Sequence, residues 1–371
     1  MTNLRPLPGF RSEPTHHCVT GSMRLIYRYN GLDISEDMLL GLGAGVGFVY
    51  WHRKGMLPFL GGRGGFNPPL EETAGARTGV VITRHHTGSA ARARKTLLAL
   101  LGRGEPVMLM ADMGYLPYFD FGGQEYHFGG HAVVACGYDA ASDTVLIADR
   151  DGLHPVPMAD LERARSSRHQ PFPPHNVWFT FDFNSWREPK PEEVREAIGE
   201  QVRANLQPPI DNLGVRGIRT AAERVGRWPQ VLDGEAIRTA AHNAEVMICA
   251  RGGSGGGNFR YMLSRFLSEA AEITGDGSLA RAGETFRGIG DRWETLAAAF
   301  RRVYKGDKPA AALAECRRLL LELAEAEQGA WQALTPLQTV AEATFGALTP
   351  RRRPEDWQAL RRQFGKGPDQ E

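Results

Sequence analysis

Residues 16–31 read HHCVTGSMRLIYRYNG. Val19, Met23, Ile26 and Tyr27 recur at helical spacing and Asn30-Gly31 supplies a C-terminal cap, so the stretch predicts a helix that begins at Cys18. A cysteine in that place has three competing chemistries: metal ligand, packed core thiol, or nucleophile on a helix N-terminus. Its surroundings must choose among them, and they also set the fold class.

Working outward, ISEDMLLGLGAG (34–45) predicts a short helix capped by Ser35, with Glu36 and Asp37 in its first turn, and GVGFVYW (45–51) reads as extended. Residues 61–79 are rich in Gly and Pro and read as a loop that covers or borders a site. After Ser89, AARARKTLLALL is a helix closed by Gly102, and PVMLMAD (106–112) is a compact strand. HAVVACGYD (131–139), the turn AASD and TVLIADRDG (144–152) form a β-hairpin, and the aromatic, β-branched NVWFTFDFN suits a further strand. Helices first and antiparallel strands second is an α+β order without βαβ alternation.

At Trp186 the Pro-rich, charged WREPKPEEV leads into helical periodicity, placing a boundary between a catalytic domain, 1–186, and an all-α domain, 187–371. GIRTAAERVGRW, GEAIRTAAHNAEVMICA, NFRYMLSRFLSEAAEIT and AALAECRRLLLELAEAEQGAWQAL carry its apolar stripes, and the tail after Pro350 is poor in apolar residues. GGSGGGNFR (252–260) lacks a following Gly-Lys-Ser/Thr and opens no βα unit, so it reads as a flexible inter-helix loop rather than a phosphate cradle.

With 44 basic and 43 acidic residues the chain gives no reason to expect nucleic acid or a membrane as partner, and the RRR run at Arg351 reads as solvated surface. There is no signal-like N-terminus or membrane-length apolar run, which predicts a cytoplasmic protein. A homo-oligomer is compatible with the sequence. Cys18, Cys136, Cys249 and Cys316 show no C-x-x-C spacing and should be free thiols, the last three packed in the core. No metal is expected: His16, His17, Cys18, His52, His85, His86 and His131 do not form an H-E-x-x-H motif, and adjacent residues seldom both face one ion.

A nucleophilic cysteine needs a lowered pKa, a base and a group that orients the base. The N-terminus of a helix favours a thiolate at Cys18, and its unpaired N–H groups suit an oxyanion. His131 opens one hairpin strand and Asp149 ends the other, which makes them neighbours in an antiparallel pair. Cys18, His131 and Asp149 thus compose the Cys-His-Asp logic of papain-like enzymes.

These residues also carry a resemblance. HHCVTGSMRLIYRYNGLDISEDMLLGLGAGVGFVYW, PVMLMADMGYLPYFD, GGHAVVACGYD and LIADRDG resemble the N-terminal domain of the butirosin-biosynthesis acyltransferase family, and SGGGNFRYMLSRFLSEAAEITG resembles the uncharacterised helical domain often attached to it. The resemblance implies a papain-like fold and transfer of an acyl group from a carrier-protein phosphopantetheine thioester to an amine, without a cofactor. It assigns Cys18 as nucleophile, His131 as base and Asp149 as orienter. Asp112, Tyr115 and Tyr118, in MADMGYLPYFD, become candidate substrate contacts. Papain-like peptidases place a glutamine shortly before the cysteine, whereas this chain has none before position 124; His16, His17 or a backbone N–H is the candidate second oxyanion donor. The rival readings are a hydrolase using the same triad and a non-catalytic carrier-protein binding module. The 61–79 loop and the helical domain are the candidates for excluding water from an acyl-enzyme.

Overall fold

The computed structural model describes residues 4–335 apart from 54, 66, 67, 124 and 307; Arg351 and the tail after Pro350 lie outside the described residues. Helices α1 (Cys18–Tyr29) and α2 (Glu36–Leu42) lead into strands β1 (Val46–Trp51) and β2 (Phe59–Arg63), then α3 (Leu70–Thr78), β3 (Val81–His85), α4 (Ala90–Gly102) and β4 (Val107–Ala111). Next come β5 (His131–Asp139), β6 (Thr144–Asp149), β7 (Gly152–Pro157), α5 (Met158–Ser166) and β8 (Trp178–Asp182). Six helices follow: α6 (Pro191–Leu206), α7 (Gly214–Val231), α8 (Gly234–Ile248), α9 (Arg260–Thr274), α10 (Gly277–Lys305) and α11 (Pro309–Ala333). The protein is α+β in its first part and helical in its second.

Contacts divide the chain into two units, one joining Met1–Leu39 to Thr78–Arg187 and the other joining Leu40–Arg77 to Glu188–Glu371. The change of unit at Arg187 falls beside the junction read at Trp186. Leu40–Arg77, however, packs with the helices, although its sequence position suggests the first domain. The reason is burial: every residue of β1 is buried, and a two-stranded ribbon cannot cover itself. Cover comes from the helical unit, where Phe48 stacks on Trp293 at 5.6 Å and Asn205 Nδ2 donates to the Val46 carbonyl at 3.1 Å. Residues 61–79, expected to be loop, instead hold the end of β2 and the whole of α3, whose Thr73 hydroxyl bonds back to the Pro69 carbonyl at 2.9 Å.

The first unit is built on a six-stranded antiparallel sheet of order β3-β8-β4-β5-β6-β7. Leu109 of β4, Val133 and Ala135 of β5 and Val145 and Ile147 of β6 form one core with Leu97, Leu100 and Leu101 of α4 and Leu161 and Ala164 of α5. The alternating residues Ala132, Val134 and Cys136 are equally buried on the opposite face, where α1 crosses β5. Tyr27 anchors that helix: it is wholly buried, its hydroxyl lies 2.9 Å from Thr78 Oγ1, and Phe183 and Trp186 meet it edge-on at 5.1 and 5.7 Å.

The Gly-rich run at 252–260, expected to be a flexible linker, is a packed turn. Buried Ser254 donates its hydroxyl to the Ile248 carbonyl at 2.8 Å, and the Gly257 N–H donates to Glu294 Oε1 at 2.7 Å. A Cβ on Gly257, at φ +54, would stand 2.7 Å from the Gly290 Cα, so only glycine fits there. The anion such a run of amides could bind is already supplied by Glu294.

Buried Glu327 ties three helices of this unit together, accepting from Arg260 Nε at 2.6 Å, Trp293 Nε1 at 2.9 Å and Trp331 Nε1 at 2.8 Å. Removing it leaves a buried guanidinium without its counter-charge and two indole donors unmatched. Glu327→Ala is therefore expected to lower the stability of the helical unit by about 3–5 kcal/mol, read as a fall in its denaturation midpoint.

Candidate active site

Cys18 is the first residue of α1 and is partly exposed. Its position is set from both sides. Upstream, the Thr15 N–H donates to the Arg150 carbonyl at 2.9 Å, which holds the incoming chain against the end of β6. Gly21 permits this approach, because a Cβ there would lie 2.3 Å from Thr15 Oγ1. Glu36 then gathers the turn, accepting the His16 N–H at 2.8 Å and the His17 N–H at 3.2 Å.

His17 is the N-cap of α1, and its Nδ1 faces the Thr20 N–H at 3.4 Å and Thr20 Oγ1 at 3.0 Å. An Nδ1 that accepts a backbone N–H must be unprotonated, so the neutral ring carries its proton on Nε2. His16 is exposed. The N–H groups of Cys18 and Val19, in the first turn, have no acceptor among the described residues, the usual state of helix-initial donors.

His131 and Asp149 meet as the hairpin predicts. His131 Nε2 lies 2.7 Å from Asp149 Oδ2, with both residues buried. The Arg150 N–H donates to Asp149 Oδ1 at 2.7 Å and the Tyr118 hydroxyl donates to Oδ2 at 2.9 Å. Burial raises the Asp149 pKa, but the His131 charge and these donors outweigh it and hold the carboxyl at about 2. Burial likewise pushes His131 down, yet the Asp149 carboxylate and the Cys18 thiol carry it up to about 10.

His131 stands by the Cys18 thiol and acts on its ionisation, and since Nε2 faces Asp149, Nδ1 is the nitrogen left for the sulfur. Burial alone would raise the thiol pKa. The His131 bond and charge, a backbone bond from Ala132 and the Arg150 cation reverse this and lower it. Cys136 and Cys316 show the contrast: burial pushes both up to about 12. Cys249 is only partly buried, its thiol directed at the Val246 carbonyl at 3.5 Å.

Of the remaining sequence candidates, Tyr118 reaches the site and works through Asp149, with its ring stacked on His154 at 4.0 Å. Tyr115 lies instead against His127 and His169, at 5.0 and 6.1 Å between rings. Asp112 is wholly buried and fully committed: it accepts the Gly114 and Phe128 N–H groups at 3.0 Å each, Ser167 Oγ at 2.5 Å and His127 Nδ1 at 2.9 Å. It organises the segment leading to His131 and has no surface to offer a substrate. Phe119, which the sequence did not single out, packs edge-on against the His131 ring at 5.5 Å.

The seven residues weighed as metal ligands do not assemble into one set. His85 pairs with Thr180 Oγ1 at 2.9 Å and stacks on Trp178, while a different trio, Glu125, His127 and His169, has ligand atoms within 4.8 Å of one another. Among the described residues no helix is long and apolar enough to cross a membrane.

Residues 17–150 match the family described as Butirosin biosynthesis protein H, N-terminal, and residues 159–334 match a Domain of unknown function (DUF4872). No curated protein matches the chain. The first match spans all three of Cys18, His131 and Asp149.

A lowered thiol pKa has a direct readout. Cys18 should be alkylated by iodoacetamide well below the ordinary thiol pKa of about 8.5, and Asp149→Asn should shift the inflection of the rate–pH curve upward by removing the charge that keeps His131 protonated. An inflection at the ordinary value in the unaltered protein would show that the pair does not activate the thiol. The pair also has a stability signature: the His131 contribution, full below pH 6.5, is lost as pH rises through about 10, and that of Asp149, full above pH 3.8, is lost as pH falls through about 2.

Proposed function

For a chain whose residues 17–150 match the butirosin biosynthesis protein H N-terminal family and whose residues 159–334 match DUF4872, we propose a biosynthetic enzyme that forms amides by acyl transfer through Cys18. The observation that carries this reading is the Cys18 thiol on a helix N-terminus, with its pKa lowered by the imidazole of His131, which a buried carboxylate holds at 2.7 Å. A helix-borne cysteine facing a His-Asp pair on an antiparallel sheet is also what the papain-like resemblance implies.

In the proposed mechanism the donor is an acyl thioester on the phosphopantetheine arm of a carrier protein. The Cys18 thiolate attacks the thioester carbon, and the oxyanion that forms is stabilised by the Cys18 and Val19 N–H groups. The adduct collapses with rupture of the bond to the carrier sulfur, which takes the Nδ1 proton of the His131 imidazolium. An amine then attacks the acyl-enzyme and gives its proton to His131, while the bond to the Cys18 sulfur breaks. Amide leaves, and the thiolate–imidazolium pair is restored. Asp149 holds the ring with Nδ1 toward the sulfur and stabilises its positive charge, and Tyr118 holds Asp149.

Incubating the protein with acyl thioesters should give an acyl adduct on Cys18 by intact mass, discharged as amide when an amine is added. Cys18→Ser should abolish the adduct. Turnover unaffected by Cys18→Ser would refute the nucleophile, while discharge to free acid alone, whatever amine is offered, would assign the same triad to a hydrolase. Tyr118→Phe removes one donor from Asp149, a loss of about 1.5–3 kcal/mol for a bond to a charged group if all of it is felt in the transition state. The expected result is a roughly ten- to hundredfold lower acylation rate, with the adduct still forming on Cys18.

A further inference from the structure

Outside the Cys18 site, the first unit gathers three side chains, Glu125, His127 and His169, whose metal-ligating atoms lie within 4.8 Å of one another. His127 directs Nδ1 at Asp112 Oδ2, 2.9 Å away, on a wholly buried carboxylate that also accepts two backbone N–H groups and the Ser167 hydroxyl. Asp112 is thus an acceptor on every side, and Nδ1 is the protonated nitrogen of His127. The Gly114 backbone fixes the ring from below, where a Cβ would come within 2.7 Å of Nδ1.

The consequence is at the other nitrogen. In the neutral ring Nε2 presents a lone pair, and 3.4 Å from it stands the carboxylate oxygen Oε1 of Glu125. Glu125 is exposed, so water can serve the two facing acceptors, but a cation satisfies both at once: a second proton on His127 or a metal ion. His169 decides between the two: its ring lies parallel to His127 at 3.4 Å and 3°, with its Nε2 3.3 Å from the Tyr115 hydroxyl, so a third ligand stands beside the pair. His169 is exposed, on an irregular segment, and a turn about its side-chain torsions brings a ring nitrogen into the plane an ion needs.

We propose that Glu125, His127 and His169 form a site for a divalent transition ion of the zinc class, with water completing a tetrahedral set and Asp112 as the outer carboxylate that orients His127. Two imidazoles and one carboxylate favour zinc, cobalt or nickel over magnesium or calcium, which prefer oxygen alone. The carboxylate–histidine–metal arrangement fixes both the tautomer and the direction of the ligating nitrogen. Such an ion joins the segment before His131, which carries Tyr118 and Phe119 to the catalytic pair, to the segment that follows α5. Its role is to clamp these segments, and it does not depend on the acyl-transfer reading. Spacing could not reveal it, since 42 positions separate His127 from His169.

The test uses the full chain carrying Cys18→Ser, so that no thiolate at the other site competes, stripped with chelator and titrated with cobalt(II). One equivalent should bind with the visible absorption of a tetrahedral ion, be displaced by zinc and be indifferent to excess magnesium. His169→Ala and Glu125→Gln, both at exposed positions, should each weaken binding about tenfold or more, and zinc should raise the unfolding temperature of the parent but not of these variants. Absence of saturable cobalt or zinc binding would leave a proton as the bridging cation and overturn the site. Binding undiminished in both variants would overturn its ligands.

Discussion

Asp149 and His131 face each other across 2.7 Å in a place where both side chains are buried, and the first unit is arranged to make that contact tolerable. Removing two charges from water costs several kcal/mol for each ion, which their mutual attraction offsets only when the remaining lone pairs are matched. Here they are: Asp149 has the Arg150 N–H on one oxygen and the Tyr118 hydroxyl beside His131 on the other. The far nitrogen of the ring is left for Cys18. A pair so expensive to bury is weak evidence of stabilisation and strong evidence of use, because an apolar pair of similar volume would hold the hairpin as well.

The sheet and α1 deliver the three groups by different means. His131 and Asp149 come from paired strands, so their meeting is a local property of one hairpin. Cys18 is brought to them by burial of Tyr27 and by the Thr15–Arg150 backbone bond, which closes a sequence separation of 135 residues. Ser35 and Ser89, each accepting a backbone N–H three residues on, set the starts of the neighbouring helices.

What the sequence disclosed follows this division between local and distant causes. Helix α1 was legible because caps and apolar spacing act within one segment, and the His131–Asp149 contact because hairpin geometry does too. The excursion Leu40–Arg77 was not, since β1 is stabilised by residues such as Asn205 and Trp293, which lie about 150 to 250 positions later and leave no mark on the local pattern. Strand β7 and helix α5 were missed for a related reason: GLHPVP has two prolines, and its pairing with β6 is decided by that neighbour. Asp112 and Tyr118 lie six positions apart in one motif and read alike in sequence as substrate contacts, yet one is a buried structural hub and the other a support for Asp149. Burial and partners separated them.

The missing glutamine bears on what the site can do. A peptidase must drive out a poor amine leaving group and gains about 2.7–4 kcal/mol from each well-placed oxyanion donor. A thioester loses a thiolate readily, and attack by Cys18 exchanges one thioester for another, so the first step is nearly thermoneutral and asks less of the oxyanion site. In the proposed mechanism two helix-initial N–H groups with no acceptor among the described residues supply that help, while the His17 imidazole caps α1 through Nδ1. In the proposed reaction the modest oxyanion site goes with an activated donor rather than an amide, and the lowered thiol pKa of Cys18 matches it: a weaker but more readily ionised nucleophile meeting a carbonyl that needs little persuasion.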